Sequence, residues 1–84
     1  MTYKLFILPG AQKQLEKIPA RDYKRVKKSI LSLARNPRPS GVKKLKGRQA
    51  WRIRQGDYRI IYEIRDKVLT VTVIALGHRK DIYK

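Results

Sequence analysis

The spacing of apolar positions divides the first half of the chain into one strand and two helices. Aromatic and branched residues from Tyr3 to Leu8 predict a strand, which Pro9-Gly10 is expected to end. Apolar residues then recur at intervals of three and four, the pattern of a buried helix face. They form one such face before Pro19 and another after it: Ala11, Leu15 and Ile18, then Tyr23, Val26, Ile30 and Leu33. Because the link at Pro19 is so short, the helices are expected to form an antiparallel hairpin.

The second half of the chain has the pattern of β-strands. Turn-forming residues at 36–41 predict a loop, and residues 42–45 could form a short strand. Three longer runs follow, Trp51–Gln55, Tyr58–Arg65 and Val68–Leu76, with tight turns expected at Gly56-Asp57 and Asp66-Lys67. The last run is apolar on both faces, which favours an internal position. The sequence thus predicts one α+β domain over residues 1–84, with an N-terminal strand and a two-helix antiparallel hairpin packed on one face of a mainly antiparallel β-sheet.

The turn at Gly56-Asp57 fixes the register of the hairpin around it. Glycine at the first central position permits a type II′ turn of two residues. The expected pairs are Gln55 with Tyr58, Arg54 with Arg59, Ile53 with Ile60, Arg52 with Ile61, and Trp51 with Tyr62. Since side chains alternate between the faces of a strand, one side is apolar and aromatic, and the other carries Arg52, Arg54 and Arg59.

Two arginines directly opposite each other repel, and this pairing has two interpretations. An anion bound between Arg54 and Arg59 would relieve the repulsion, which favours a phosphate-binding surface. Alternatively, the face is solvated, with the arginine stems covering apolar surface and the charged heads in water.

The charge of the chain favours the interpretation of the arginine pair as a phosphate-binding surface. Lysine and arginine total 22 against 6 acids, a formal net charge of +16 over 84 residues. A folded domain with such a field attracts polyanions, so nucleic acid or a nucleoprotein particle is the first partner to consider. An apolar fraction of 42% excludes a disordered basic tail.

Composition also limits the chemistry. The six acids are scattered singly, so a metal site built from clustered carboxylates is not expected, nor is any cofactor. The absence of cysteine excludes a disulfide scaffold and thiolate zinc sites, and weakly favours a cytoplasmic location. No apolar stretch reaches membrane-spanning length, so no membrane partner is expected.

The C-terminal segment Gly77–Lys84 carries a second cluster of reactive side chains. His78, Arg79 and Tyr83 lie within six positions and could supply proton transfer and charge stabilisation for phosphodiester cleavage. The alternative is a polar tail after the last strand.

Taken together, these segments resemble the RelE/ParE superfamily of type II toxins. The resemblance covers nearly the whole chain and includes residues 43–47, Trp51–Tyr62 and Gly77–Tyr83. The last two stretches resemble the RelE branch. Membership there implies a ribosome-dependent endoribonuclease that cuts mRNA in the ribosomal A site and is neutralised by a RelB-like antitoxin.

The resemblance assigns roles to several residues. Arg59 and Arg79 match arginines that stabilise charge at the scissile phosphate. Tyr83 matches a tyrosine that aligns or activates the nucleophile, or stacks on a base. Arg52 and Arg54 stand where the best-known members have lysines.

This substitution shifts the expected acid–base chemistry. Arginine is not deprotonated in a protein, so proton transfer is expected from Tyr83 and His78 instead. The implied reaction is attack of the RNA 2′-hydroxyl on the adjacent phosphorus, which gives a 2′,3′-cyclic phosphate and a 5′-hydroxyl and needs no metal.

Further basic residues are expected to contact mRNA on the ribosome and ribosomal RNA. They are Lys24, Arg25, Lys27, Lys28, Lys43, Lys44, Lys46, Arg48 and Lys80. An acidic antitoxin segment is expected to bind the outer face of the second helix or a sheet edge. Two other functions stay open: a ParE-like inhibitor of DNA gyrase, and a non-catalytic basic nucleic-acid-binding module.

Overall fold

A computed structural model describes residues 2–47 and 49–78 of the chain. The elements in chain order are β1 Lys4–Ile7, α1 Pro9–Glu16, α2 Ala20–Ser32, β2 Lys43–Lys44, β3 Ala50–Gln55, β4 Tyr58–Arg65, a 3₁₀ turn Asp66–Val68, and β5 Thr70–His78. Two helices packed on a mainly antiparallel sheet with an N-terminal strand confirm the predicted fold class.

The sheet has five strands in the order β1-β5-β4-β3-β2. β1 pairs with β5 in parallel, and the other three pairings are antiparallel. β5 therefore has a strand on both sides, as its apolar character on both faces predicted. Its ladder with β4 shifts register between Ile61 and Tyr62, which face Ala75 and Val73 respectively.

β1 ends at Ile7, before Pro9-Gly10, as expected from the sequence. Pro9 and Gly10 then form the first turn of α1. Proline suits this position because its fixed φ is helical and the missing N–H has no partner in the first turn. Pro19 directly precedes α2. Asp22, in the first turn, interacts favourably with the positive N-terminal end of the helix dipole.

Side chains from both helices and one sheet face form a single core. Its fully buried members with the largest side chains are Tyr62, Leu15, Ile30, Leu33, Ile60, Val26, Val71 and Val73. Tyr62 contributes a polar atom: its hydroxyl donates a 2.6 Å hydrogen bond to the carbonyl oxygen of Pro37. This bond ties the 36–41 loop to the sheet. Burial raises the pKa of Tyr62 to about 12.

The structure confirms the prediction for one of the two hairpin turns and not for the other. At the first, Gly56 has φ +61° and every predicted pair from Trp51–Tyr62 to Gln55–Tyr58 is present, so the predicted register is confirmed. The predicted two-residue turn at Asp66-Lys67 is wrong. The chain instead makes a 3₁₀ turn and passes through Leu69 in the left-handed region, φ +49°, so β5 begins only at Thr70.

Candidate functional site

Three arginines share the sheet face turned away from the helices. Arg52 and Arg54 lie on β3 and Arg59 on β4, with Arg54 directly opposite Arg59. Ile53 and Ile60 point to the opposite side and are buried in the core, which forces the arginines outward. We call Arg52, Arg54 and Arg59 the arginine face.

The arginine face concentrates charge at a partly desolvated position. Arg54 is exposed, whereas Arg59 is half-buried and its Nε atom is shielded from solvent. Guanidinium groups stay charged under all ordinary conditions, and their repulsion is stronger near a protein surface than in bulk water. Gly77 of β5 lies opposite Arg59, and a Cβ built there would meet no atom within 4 Å. Among the described residues, no side chain on β5 therefore covers the position beside Arg59 at Gly77.

Strand β2 extends the arginine face at one end only. Lys43 pairs with Arg52 and so lies on the same side. Lys44 pairs with Trp51 on the helix side, where its Nζ lies 5.7 Å from the centre of the Trp51 ring. Lys46 is exposed in the following turn. The predicted RNA-binding lysines are thus divided between two surfaces.

His78 lies on the opposite side of the sheet from the arginine face. It ends β5 opposite Tyr58, and the two rings meet edge to face with centroids 5.7 Å apart. Together with Gly10 and Gln14 of α1 it lines a cavity on the helix side. The fold therefore does not bring His78 to the three arginines, although Gly77 next to it faces them.

Four of the predicted site residues fall outside the described residues. They are Arg48, Arg79, Lys80 and Tyr83. The segment 79–84 continues directly from β5, whose last pairs place Gly77 beside Arg59.

The basic residues of α2 form a separate surface. Lys24, Arg25, Lys27 and Lys28 are all exposed. Lys27 lies over the Tyr23 ring, 5.7 Å from its centre. Arg25 and Lys28 instead line a depression shared with Gln55 at the end of β3.

Within residues 2–47 and 49–78, no three histidine or acidic side chains are grouped as a metal site would require. Over the same part of the chain, no helix combines the length and apolar character needed to cross a membrane.

A cluster around Asp66 was not anticipated from the sequence. Its carboxylate accepts two hydrogen bonds from Arg38, at 2.9 and 3.2 Å, and one of 2.6 Å from the Tyr3 hydroxyl. These donors lower the pKa of Asp66 to about 2, with Arg38 the larger cause. Arg38 also lies 4.9 Å from the centre of the Trp51 ring. The cluster fastens the 36–41 loop to β3 and the β4–β5 connection, and no local sequence pattern joins residues so far apart in the chain.

Comparison with known proteins agrees with this architecture. The model of the family described as the ParE toxin of the type II toxin–antitoxin system parDE matches residues 5–83. The chain belongs to the RelE/ParE toxin superfamily. It is therefore a toxin of the type II toxin–antitoxin class, and the resemblance seen in the sequence is confirmed.

The individual relatives carry RelE-type names. Toxin RelG of Mycobacterium tuberculosis is 33% identical over the whole of this chain and 99% of its own length. The RelE–RelB complex of Pyrococcus horikoshii matches with a TM-score of 0.84 and 31% identity, covering 96% of this chain and 99% of the other. The RelBE2 toxin–antitoxin complex of M. tuberculosis matches with a TM-score of 0.82 and 28% identity, covering 94% and 100%.

Proposed function

We propose that this toxin is a ribosome-dependent endoribonuclease that cleaves mRNA in the A site and so stops translation. The observation that supports the proposal most is the direct opposition of Arg54 and Arg59 on the arginine face, beside the end of β5. Stability alone disfavours such a pair, whereas a phosphate that receives charge during cleavage is stabilised by it.

The proposed reaction begins with the RNA 2′-hydroxyl. Its oxygen attacks the neighbouring phosphorus as the hydroxyl proton is removed, the bond from phosphorus to the 5′-oxygen breaks, and the 5′-oxygen takes up a proton, so that a 2′,3′-cyclic phosphate and a 5′-hydroxyl result. Arg59 and Arg54 stabilise the charge that develops on the phosphoryl oxygens, and Arg52 neutralises the adjoining backbone. None of these steps requires a metal ion.

Proton transfer in this proposal falls to Tyr83. The arginines hold their protons, and His78 lies on the helix side of the sheet. Tyr83 follows β5 within a few positions of the sequence, and Arg79 precedes it as a further cation. His78 then serves as a packing partner for Tyr58.

The proposed partners follow from charge and from the relatives. A net charge of +16 suits mRNA and ribosomal RNA, with Lys43 extending the arginine face along the strand. The similar structures from P. horikoshii and M. tuberculosis are toxin–antitoxin complexes, so we propose a RelB-like antitoxin with an acidic segment as the cognate partner. Translation places the site of action in the cytoplasm.

Primer extension on a defined message tests the proposal. Purified toxin is added to the message alone and to the same message on translating ribosomes. The expected result is cleavage within codons only in the presence of ribosomes. Equal cleavage of the free message would show a general ribonuclease, and no cleavage in either reaction would contradict the proposal.

A second function is favoured by one observation, the family model itself, whose description is that of ParE. A ParE-like toxin would inhibit DNA gyrase by binding, without cleaving RNA. A supercoiling assay with purified gyrase distinguishes the two. Loss of supercoiling together with intact mRNA would replace the first proposal by this one.

A further inference from the structure

A groove lies between α2 and the end of β3, around the edge of β3 from the arginine face. One wall is a stripe on α2 at helical spacing, Arg25, Lys28, Ser29 and Ser32. The other wall carries Gln55 of β3 and Ser40 of the preceding loop. Ser29 and Ser32 line both halves, so the two halves adjoin along α2. We call these six residues the α2–β3 groove.

The groove exists because β2 is too short to cover β3. β2 pairs only with Trp51 and Arg52, and the loop before it, in which Gly41 has φ +88°, lines the depression beside Ile53 and Arg54 without pairing with β3 as a strand. Leu45 N–H donates to the Ala50 carbonyl at 2.9 Å, so Ala50 directs its backbone groups to the β2 side. Every second residue of a strand directs its backbone groups to the same side, so the N–H and C=O of Arg54 also point to the β2 side, at a position beyond the end of β2. The Arg54 backbone thus faces the groove.

The groove presents hydrogen-bond donors. Ser29 Oγ donates to Gln55 Oε1 at 2.7 Å, which leaves the Gln55 amide nitrogen pointing away from this bond. Ser32 Oγ donates to the Ser29 carbonyl, also at 2.7 Å. The hydroxyl hydrogens of Ser29 and Ser32 are therefore used within the protein, and the groove offers a ligand the donors of Arg25, Lys28, Gln55 and the Arg54 backbone.

The lining selects for phosphate over a docked protein helix. No carboxylate lines either half, and the large apolar side chains in the lining are those of Ile53 and Pro39. An amphipathic helix needs a row of apolar contacts that this groove lacks. Guanidinium, ammonium, amide and backbone N–H groups together are the usual partners of nucleic-acid phosphates.

We propose that the α2–β3 groove binds the phosphodiester backbone of RNA. Arg54 belongs to the arginine face and also lines the groove, so one RNA strand can pass around the β3 edge from one surface to the other. The proposal rests on the proposed function only in taking RNA as the polyanion. It requires no cleavage, and its test uses RNA that cannot be cleaved.

A pair of double variants tests the groove with charge held equal. Arg25→Gln with Lys28→Gln removes two cations from the groove, and Lys13→Gln with Lys17→Gln removes two exposed cations from α1 and its C-terminal cap, outside the groove. Binding of a 2′-O-methyl RNA oligonucleotide and of vacant ribosomes is measured by fluorescence anisotropy over a range of salt. The groove pair should weaken binding about tenfold and the control pair about twofold, with the salt slope reduced by about 0.7 for each phosphate that is no longer neutralised.

A single variant that keeps every lysine and arginine tests the groove by a second route. Gln55→Glu keeps the oxygen that accepts from Ser29 but replaces the amide donor by a carboxylate. It should weaken RNA binding more than Gln14→Glu, an exposed change of equal charge on α1. Thermal melting checks that each variant folds.

The outcomes separate this proposal from its alternatives. If the groove variants selectively lose binding to the oligonucleotide, the groove binds a message strand. If they selectively lose binding to vacant ribosomes, it binds ribosomal RNA. Either result supports the proposal. Equal losses for groove and control variants would overturn it, as would selective loss of binding to poly-glutamate with RNA binding intact. Intact groove binding without ribosome-dependent cleavage would refute the proposed function and leave the groove standing.

Discussion

At the scale of single residues, position on the sheet separates the basic side chains by role. Arg54 and Arg59 face each other across a ladder, which is unfavourable for stability and useful for binding an anion. Arg38 is equally basic but is held by Asp66 at 2.9 Å and covers Trp51, so it serves the fold. The role of each arginine therefore depends on the groups that it contacts, and the number of arginines alone does not indicate it.

Tyr83→Phe tests the residue proposed for proton transfer. Removing the hydroxyl should slow single-turnover cleavage on the ribosome by about 10²–10⁴-fold, the usual contribution of general acid–base catalysis. Binding to ribosomes should persist, because the ring and all basic residues are retained. Full cleavage by this variant would remove Tyr83 from the proposed mechanism.

Tyr62→Phe tests the buried hydroxyl. The change deletes the 2.6 Å hydrogen bond to Pro37 and leaves a buried carbonyl without its donor, at a cost of about 1–3 kcal/mol in the free energy of unfolding. Denaturant unfolding of both proteins measures it. An unchanged midpoint would show that water replaces the bond.

The same pair of proteins has a defined pH dependence. The pKa of Tyr62 is raised to about 12, above its unfolded value of about 10. The stabilisation from the neutral phenol is therefore complete below pH ~10 and declines as the pH rises toward the folded pKa. The stability difference between the wild type and Tyr62→Phe should narrow above pH ~10, as alkaline unfolding curves would show.

At the scale of elements, the ends of the strands shape the functional surfaces. The turn at Gly56-Asp57 sets the register that makes the arginine face. The shortness of β2 leaves the last residues of β3 uncovered and opens the α2–β3 groove. The arginine face and the α2–β3 groove therefore both depend on where the strand pairing of β3 ends.

Gly56→Ala and Gly10→Ala form a matched pair at this scale. Gly56 has φ +61°, so alanine there should destabilise the fold by about 1–3 kcal/mol. Gly10 lies in α1 with nothing within 4 Å of an added Cβ, and alanine should stabilise by up to about 1 kcal/mol. Thermal melting measures both, and a destabilising Gly10→Ala would contradict the helical start at Pro9.

Asp66→Asn tests the attachment of the 36–41 loop. The Asp66 pKa of about 2 lies below its unfolded value of about 3.9, so its stabilisation is present above pH ~4 and is lost as the pH falls toward 2. The variant should melt at a slightly lower temperature than the wild type at neutral pH, because the ion pair is exposed. Melting curves should converge toward pH 2; a constant difference would indicate another cause.

At the scale of the whole molecule, local rules predicted more of the fold than of the site. The hairpin register followed from one glycine, and the helix faces followed from spacing, because both are local properties. The parallel partner of β1 and the Arg38–Asp66 contact join distant parts of the chain, which local patterns do not specify. The position of His78 depends on the same long-range information: the pairing of β5 with β4 sets Gly77 opposite Arg59 and so places His78 on the other face.

The whole-molecule charge explains attraction to RNA but not cleavage, so the central claim concerns the arginine face. Arg59 and Arg65 lie on the same strand and the same face, and only Arg59 lies opposite Arg54. Changing either to glutamine removes one charge from the same surface of β4.

Single-turnover cleavage of mRNA on programmed ribosomes compares these two variants most directly. Arg59→Gln should lower the cleavage rate by about 10²–10³-fold, the usual cost of removing one charge-stabilising group, while Arg65→Gln should cleave nearly as fast as the wild type. Equal rates for the two variants would contradict the assignment of the arginine face as the cleavage site.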